Sequence, residues 1–330
     1  MTDGTLRVGL IGLGSMGRHH ARVIRSTPGM TLAAVADAAG DRFGVAGDLP
    51  VLPDVESLIA TGIDAAMVAV PTALHEDVCL ALAAAGVPTM VEKPIAENVA
   101  AGERVALAFG EAGVVGAVGY VERCNPAMLA MRAKIEDGLL GEVYQITTSR
   151  QGPFPDRIAD VGVVKDLATH DIDVTPWLAG SPYVRIAAHT AHRSGREFED
   201  MLVASGRLAN GVIVNHLVNW LSPRKERQCV VTGEKGALVA DTLTSDLTYY
   251  ENGTFETDWD ALASFRGVAE GDVTRFALHK REPLAVEQAS FRDAVRGDTS
   301  GIVSMAEGVA SLRIVEACLR SAVEGHEVLV

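Results

Sequence analysis

The chain has 330 residues, enough for two domains that each bury a substantial core. With 48% hydrophobic and 22% charged residues it has the composition of an ordinary globular protein, which excludes a disordered or fibrous chain. A formal charge of -14, uninterrupted by any run of lysine or arginine, argues against nucleic acid and anionic membrane surfaces as partners.

The amino terminus, Met1-Thr2-Asp3-Gly4, lacks the basic start and long apolar core of a secretory signal. No apolar stretch is long enough to span a bilayer, and a cytoplasmic location is expected. The four cysteines (Cys79, Cys124, Cys229, Cys318) form no C-x-x-C pair, so neither a disulfide framework nor a zinc site is expected, and no metal.

Short apolar runs at Leu6–Ile11, Leu32–Ala36, Ala65–Val70, Thr89–Val91 and Val114–Val118 predict strands. Amphipathic stretches near Met16–Ser26, His75–Ala85 and Val99–Glu111 alternate with them, which predicts a doubly wound parallel sheet. A helix to about Glu136 follows Asn125-Pro126. The pattern then changes to longer alternating strands such as Val143–Arg150, Met201–Leu208, Gly211–Trp220 and Gln228–Thr232. Turns such as Ala209-Asn210-Gly211 and Glu234-Lys235-Gly236 punctuate them, predicting a large, open, mostly antiparallel sheet. One helix is inserted near Lys165–Leu178, and two more are expected near Leu284–Val295 and Met305–Val323. The fold class is therefore α/β, with a doubly wound parallel-sheet domain over residues 1–122 and a second domain carrying the open sheet over 123–330.

Gly12-Leu13-Gly14-Ser15-Met16-Gly17 follows the first strand and opens a helix, the context in which G-x-G-x-x-G binds a dinucleotide. Gly12 permits the tight turn, Gly14 lets the pyrophosphate approach, and Gly17 lets helix and strand pack closely. The helix amino terminus then receives the phosphate charge. Asp37 ends the second strand, where its carboxylate accepts from a ribose diol and repels a 2'-phosphate. Ala38 and Ala39 supply no cation for that phosphate. NAD is expected rather than NADP, although Arg42 stands close enough to keep NADP open.

Glu92-Lys93-Pro94 sits at the end of the fourth predicted strand, where crevice ligands bind; a lysine there can hold a hydroxyl and stabilise developing negative charge. Asp166 and His170 stand four apart on the inserted helix, which predicts that they share a face. Histidine titrates near neutrality and suits removal of a hydroxyl proton. Alone, the lysine also fits a surface role and the pair a helix-face hydrogen bond.

Together with Gly119-Tyr120-Val121-Glu122-Arg123 leading to Asn125-Pro126, these segments resemble the Gfo/Idh/MocA oxidoreductase family over nearly the whole chain. The resemblance implies a Rossmann domain plus an α/β domain whose open sheet often forms the oligomer interface, and hence a homodimer or homotetramer. It places Lys93, Asp166 and His170 around a reacting carbinol, the family varying in whether lysine or histidine carries the proton. The cofactor set expected on this footing is Gly12, Gly14, Ser15, Met16, Gly17, Asp37, Pro71, Thr72, His75, Glu92 and Lys93. The substrate set is Tyr120, Glu122, Arg123, Arg150, Arg157, Asp166 and His170. One departure is Val161-Gly162, which keeps one glycine where the family often has a pair. The segment from Arg150 through Arg157 to Asp173 looks closest to members that oxidise the 3-hydroxyl of UDP-N-acetylhexosamines, in which Arg150 and Arg157 meet anionic groups. An inositol or a free sugar is the competing substrate. A glycosidase that oxidises its sugar transiently with NAD, and a non-enzymatic cofactor-sensing binding protein, are the other functions the family resemblance leaves open.

Overall fold

The computed structural model describes residues 4–155, 161–253 and 269–330. The chain divides into two compact units, Met1–Cys124 with Glu282–Arg313, and Asn125–Arg281 with Ile314–Val330. The segment 282–313, assigned from sequence to the second domain, therefore lies with the first. Its reason is packing: Phe291, fully buried, joins Val8, Leu10, Ile24, Val35 and Met67 in the core of the first unit. Burying such a ring contributes about 1.5 to 3 kcal/mol, enough to outweigh continuity along the chain.

The first unit is built from β1 (Leu6–Ile11), α1 (Ser15–Ser26), β2 (Met30–Ala36), β3 (Val51–Leu52), α2 (Val55–Ile59), β4 (Ala65–Val68), α3 (His75–Ala84), β5 (Thr89–Glu92), α4 (Val99–Ala112) and β6 (Gly116–Gly119). All strand pairs are parallel, in the order β3-β2-β1-β4-β5-β6. The order reverses between β1 and β4, the switch point outside which ligands bind in open α/β sheets. β3 and α2 escape a periodicity reading because they are only two and five residues long. Helix starts follow local chemistry: Asp54 accepts from the Ser57 amide at α2, and Asn98 from the Ala101 amide at α4. α1 differs, having no side-chain cap and no acidic residue in its first turn.

The second unit comprises α5 (Pro126–Glu136), β7 (Val143–Pro153), α6 (Thr169–Ala179), β8 (Tyr183–Ala191), β9 (Met201–Leu208), β10 (Ile213–Asn219), β11 (Leu221–Gly233), β12 (Gly236–Asp241), β13 (Asp246–Gly253), β14 (Ala269–Arg275) and β15 (Val328–Leu329). Among the described residues its sheet has nine strands, ordered β14-β13-β12-β11-β7-β10-β9-β8-β15, and only β7 with β10 run parallel. Side chains alternate between faces along each strand. One face buries Ile146, Val214, Leu202, Val231, Leu238 and Leu247, and α5 and α6 pack against strands of this sheet. The register puts Val203, Ile213, Leu217, Tyr250 and Val273 together on the opposite face, where all five are exposed.

Candidate active site

The loop between β1 and α1 meets its steric requirements. Gly12 has φ +92, and a Cβ there would lie 2.5 Å from the Ala69 carbonyl; a Cβ on Gly17 would lie 2.0 Å from the Gly12 oxygen. Both close approaches are therefore reserved for glycine. A Cβ on Gly14 would meet nothing within 4 Å, so space lies open beside this loop. Ser15 and Met16 form the first turn of α1, whose amides no side chain caps. Asp37 bridges the loop: one carboxylate oxygen accepts from the Leu13 amide at 2.7 Å, the other from the Ala39 amide at 2.8 Å. A carboxylate has about four acceptor sites, so Asp37 retains capacity for a diol. Open space, uncapped amides and an oriented acid fit the pyrophosphate and ribose of a dinucleotide.

Pro71 and Thr72 lie in the turn after β4, Pro71 exposed and Thr72 half-buried. His75 is 1% exposed, so its side chain is not open to a ligand as expected from sequence. Its Nδ1 lies 2.9 Å from the Pro94 carbonyl oxygen and its Nε2 3.1 Å from that of Val70. Burial pushes its pKa down despite these carbonyls, and a neutral ring donates to one of them at a time. The ring thus ties the turn after β4 to the segment that follows Lys93. At the end of β5, Glu92 turns its carboxylate to His20 at 2.8 Å, and Lys93 is half-buried, with a cis peptide to Pro94.

Tyr120, 1% exposed, is buried at the end of β6 rather than presented to a substrate. Glu122 and Arg123 occupy the turn Val121–Cys124. Arg123 donates to Glu307 at 2.7 Å, and Glu307 in turn accepts from the Ser304 amide and hydroxyl. Burial pushes the Glu307 carboxyl up, but the Arg123 bond and the Ser304 donors leave its pKa below the ordinary value. The guanidinium of Arg123 thus already has a counter-charge.

In the second unit the expected single helix is broken. Val164–Ala168 form a π-helical turn, the Thr169 amide reaching back to the Val164 carbonyl, and α6 begins only after it. Asp166, 6% exposed, lies in this wider turn, and His170, half-buried, in the first turn of α6. They are not successive positions on one regular helix face as the spacing predicted, because a π turn changes the azimuth. Single π turns occur frequently at functional sites. Glu199 caps this one: its Oε1 accepts from the Val164 amide at 3.1 Å and its carbonyl from the Val163 amide at 2.9 Å. A Cβ on Gly162 would lie 2.0 Å from the Glu199 carboxylate, which is why the one retained glycine stands there.

Arg150 is 5% exposed, and its Nε donates to both oxygens of Asp171 at 3.0 Å. Asp171 directly follows His170, so Arg150 ties α6 to β7 with an anionic partner already on its Nε. Arg157 lies outside the described residues. Three residues absent from the sequence reading emerge: Glu199, His20 and Gln288. His20 lies on the buried face of α1 with Gly17, Ala21 and Ile24, and a polar ring at an apolar position was the available signal. Glu199 and Gln288 carry no such local mark.

Comparison with known proteins agrees with this geometry. Residues 6–120 match the oxidoreductase family, NAD-binding Rossmann fold, and residues 128–239 match the GFO/IDH/MocA C-terminal domain. Inositol 2-dehydrogenase 2 of Saccharopolyspora erythraea is 30% identical, over 97% of this chain and 94% of its own. UDP-N-acetylglucosamine 3-dehydrogenase of Acidithiobacillus ferrooxidans is 28% identical, over 96% of each chain. A solved structure of that enzyme superposes with a TM-score of 0.80 at 26% identity, covering 97% of this chain and 98% of its own. The WlbA dehydrogenase of Bordetella pertussis, solved with NADH and UDP-GlcNAcA, shares the fold with a TM-score of 0.84, at 24% identity over 100% of this chain and 99% of its own.

Proposed function

The chain belongs to the Gfo/Idh/MocA oxidoreductase family, and on that premise we propose that it is an NAD-dependent dehydrogenase oxidising a secondary alcohol of a cyclitol, sugar or nucleotide sugar. The observation that carries this reading is the β1–α1 loop, with open space beside Gly14, uncapped amides and Asp37 oriented by the Leu13 amide. Gly12, Gly14, Ser15, Met16, Gly17 and Asp37 would hold the dinucleotide, with Pro71, Thr72, Glu92 and Lys93 at its nicotinamide end. Bound NAD supplies the hydride acceptor.

The remaining chemistry is assigned to the chain's own groups. The carbinol proton must leave as hydride departs, and His170 takes it as general base. Lys93 stabilises the developing alkoxide, as a cation placed where charge appears. Asp166 holds substrate and base in register.

Between the substrates, the buried Arg150–Asp171 pair favours a neutral cyclitol or sugar, because one of the two cations invoked for a nucleotide diphosphate is already compensated. The relatives named for inositol and for UDP-N-acetylglucosamine support both arms. A screen of inositols, free sugars and nucleotide sugars for NADH absorbance decides. NADH formation with an inositol is expected, formation with UDP-N-acetylglucosamine alone transfers the reading to the nucleotide sugar, and aglycone release without net NADH identifies a glycosidase instead.

A homodimer or homotetramer joined through the open sheet face is part of the same proposal, supported by the exposed apolar residues there. A cytoplasmic location is proposed too. It is supported by the burial of all four cysteines, with Cys79 and Cys318 pushed up to about 12, as inert thiols in a reducing compartment.

A further inference from the structure

A buried chain of side chains runs beneath Lys93 from residues remote in sequence. Gln288, on the helix Pro283–Val295, is 0% exposed, and its amide nitrogen lies 3.0 Å from His20 Nδ1 and 3.3 Å from the His20 carbonyl oxygen. Both partners of that nitrogen are acceptors, so the amide donates and Nδ1 carries no hydrogen. The other ring nitrogen of His20 then bears the proton and donates to Glu92 Oε1 at 2.8 Å. The second oxygen of Glu92 accepts from the Lys93 amide at 3.2 Å. The carboxylate therefore brackets the peptide that carries Lys93 out of β5.

The orientation of Gln288 has a cost. Its Oε1 is buried and accepts from no group among the described residues. An orphaned buried carbonyl is destabilising. Burial pushes the Glu92 carboxyl up, but the bond from His20, together with the charge and the amide of Lys93, holds it below the ordinary carboxylate value.

We propose that His20 and Gln288 are positioning residues for hydride transfer, setting the place of Lys93 through the bracketing carboxylate of Glu92. The inference rests on the role assigned above to Lys93. With His20 lost, Glu92 is free to swing and the Lys93 peptide loses its fixed acceptor. The dinucleotide loop and Asp37 are untouched. A group misplaced by about 1 Å can cost on the order of 100-fold in rate, so the loss falls on turnover rather than on cofactor affinity.

The test uses the full chain with the substrate found by the screen. His20→Leu should lower kcat by roughly 10- to 100-fold, with the NAD Kd changed less than about threefold. His20→Gln, whose amide can donate to Glu92 from a similar place, should recover most of that loss. Gln288→Met should cost less than His20→Leu, and the double variant no more than His20→Leu, because Gln288 acts through His20. Histidine nitrogen NMR on the substrate-free protein should show His20 as the Nε2–H tautomer, independently of any activity. The proposal is overturned by a folded His20→Leu with kcat within twofold of wild type, by a loss confined to NAD affinity, by additive losses in the double variant, or by the Nδ1–H tautomer. If His20→Leu fails to fold, the other two variants decide: His20→Gln should keep kcat near wild type and Gln288→Met should lower it with the NAD Kd little changed, and the proposal is overturned by a folded His20→Gln that loses kcat by roughly tenfold or more, or by a Gln288→Met with wild-type kcat. Failure of Lys93→Ala to slow the wild-type reaction would instead remove the reading on which this one stands.

Discussion

Asp37 does two jobs with one carboxylate: it fixes the glycine-rich loop through the Leu13 amide and presents the lone pairs that remain. Asp37→Ala should therefore weaken NAD and relieve repulsion of a 2'-phosphate, narrowing the preference for NAD over NADP by about 1 to 3 kcal/mol. Fluorescence titration of both cofactors measures this, and tighter NADP binding by the unaltered protein would refute the NAD assignment. In the proposed reaction the roles at the reacting carbon are divided among His170, Lys93 and Asp166. His170→Ala should slow turnover by about 100- to 10,000-fold, and Lys93→Ala should reduce kcat while NAD affinity stays near wild type. Asp166→Asn should be milder than either. Groups that act together lose activity non-additively, so the Lys93→Ala, His170→Ala double variant should be little worse than the poorer single. Near wild-type turnover by His170→Ala would pass the proton to Lys93 and leave His170 as a substrate-orienting group.

At the scale of elements, the sheet of the second unit is held by a buried polar line as well as by apolar packing. His216 on β10 lies 2.7 Å from the Thr148 hydroxyl on β7 and 2.7 Å from the Tyr183 hydroxyl on β8. Burial pushes its pKa from 6.5 down to about 4. A histidine with a lowered folded pKa binds fewer protons in the native than in the unfolded state, so it contributes stability above pH 6.5 that is lost as the pH falls through about 4. The loss amounts to about 3 kcal/mol at most. Guanidinium midpoints measured between pH 7 and pH 4 should fall with acid. In His216→Gln the part of that slope due to His216 should vanish; an unchanged slope would show that other groups carry it. The π turn at Val164–Ala168 belongs to this scale too: Asp166 and His170 ride on a junction that Glu199 caps and that Arg150 anchors through Asp171.

For the molecule as a whole, the exposed row Val203, Ile213, Leu217, Tyr250 and Val273 sets an expectation about assembly. Exposed apolar side chains gathered on one sheet face favour association, and such a face can pair with a second copy about a two-fold axis. Light scattering at micromolar concentration should give a dimer or tetramer. Leu217→Glu should shift it toward monomer while the far-ultraviolet circular dichroism stays the same. A monomer in the unaltered protein would refute the interface.

The Rossmann order, the glycine loop and Asp37 were legible in the sequence because each rests on contacts short in chain distance: a strand, a turn, a helix start and an acid about one βαβ unit further on. The alternation of the second sheet was legible for the same local reason, since period-two patterning encodes which face is buried. The rest depended on contacts made across the chain. Helix Pro283–Val295 joins the first unit because Gln288 finds His20 on α1, 268 residues away, and Phe291 enters the core that β1 helps to build. Nothing in the spacing of Asp166 and His170 discloses a π turn, which Glu199 stabilises from 35 residues downstream. Arg150 read as an open cation until Asp171 was brought against it, and His75 and Tyr120 read as ligand contacts until burial enclosed them. Local pattern determines which elements form and which face turns inward. Which charges are compensated, and which polar groups are aimed at the chemistry, is decided by partners that only the folded chain brings within hydrogen-bonding distance.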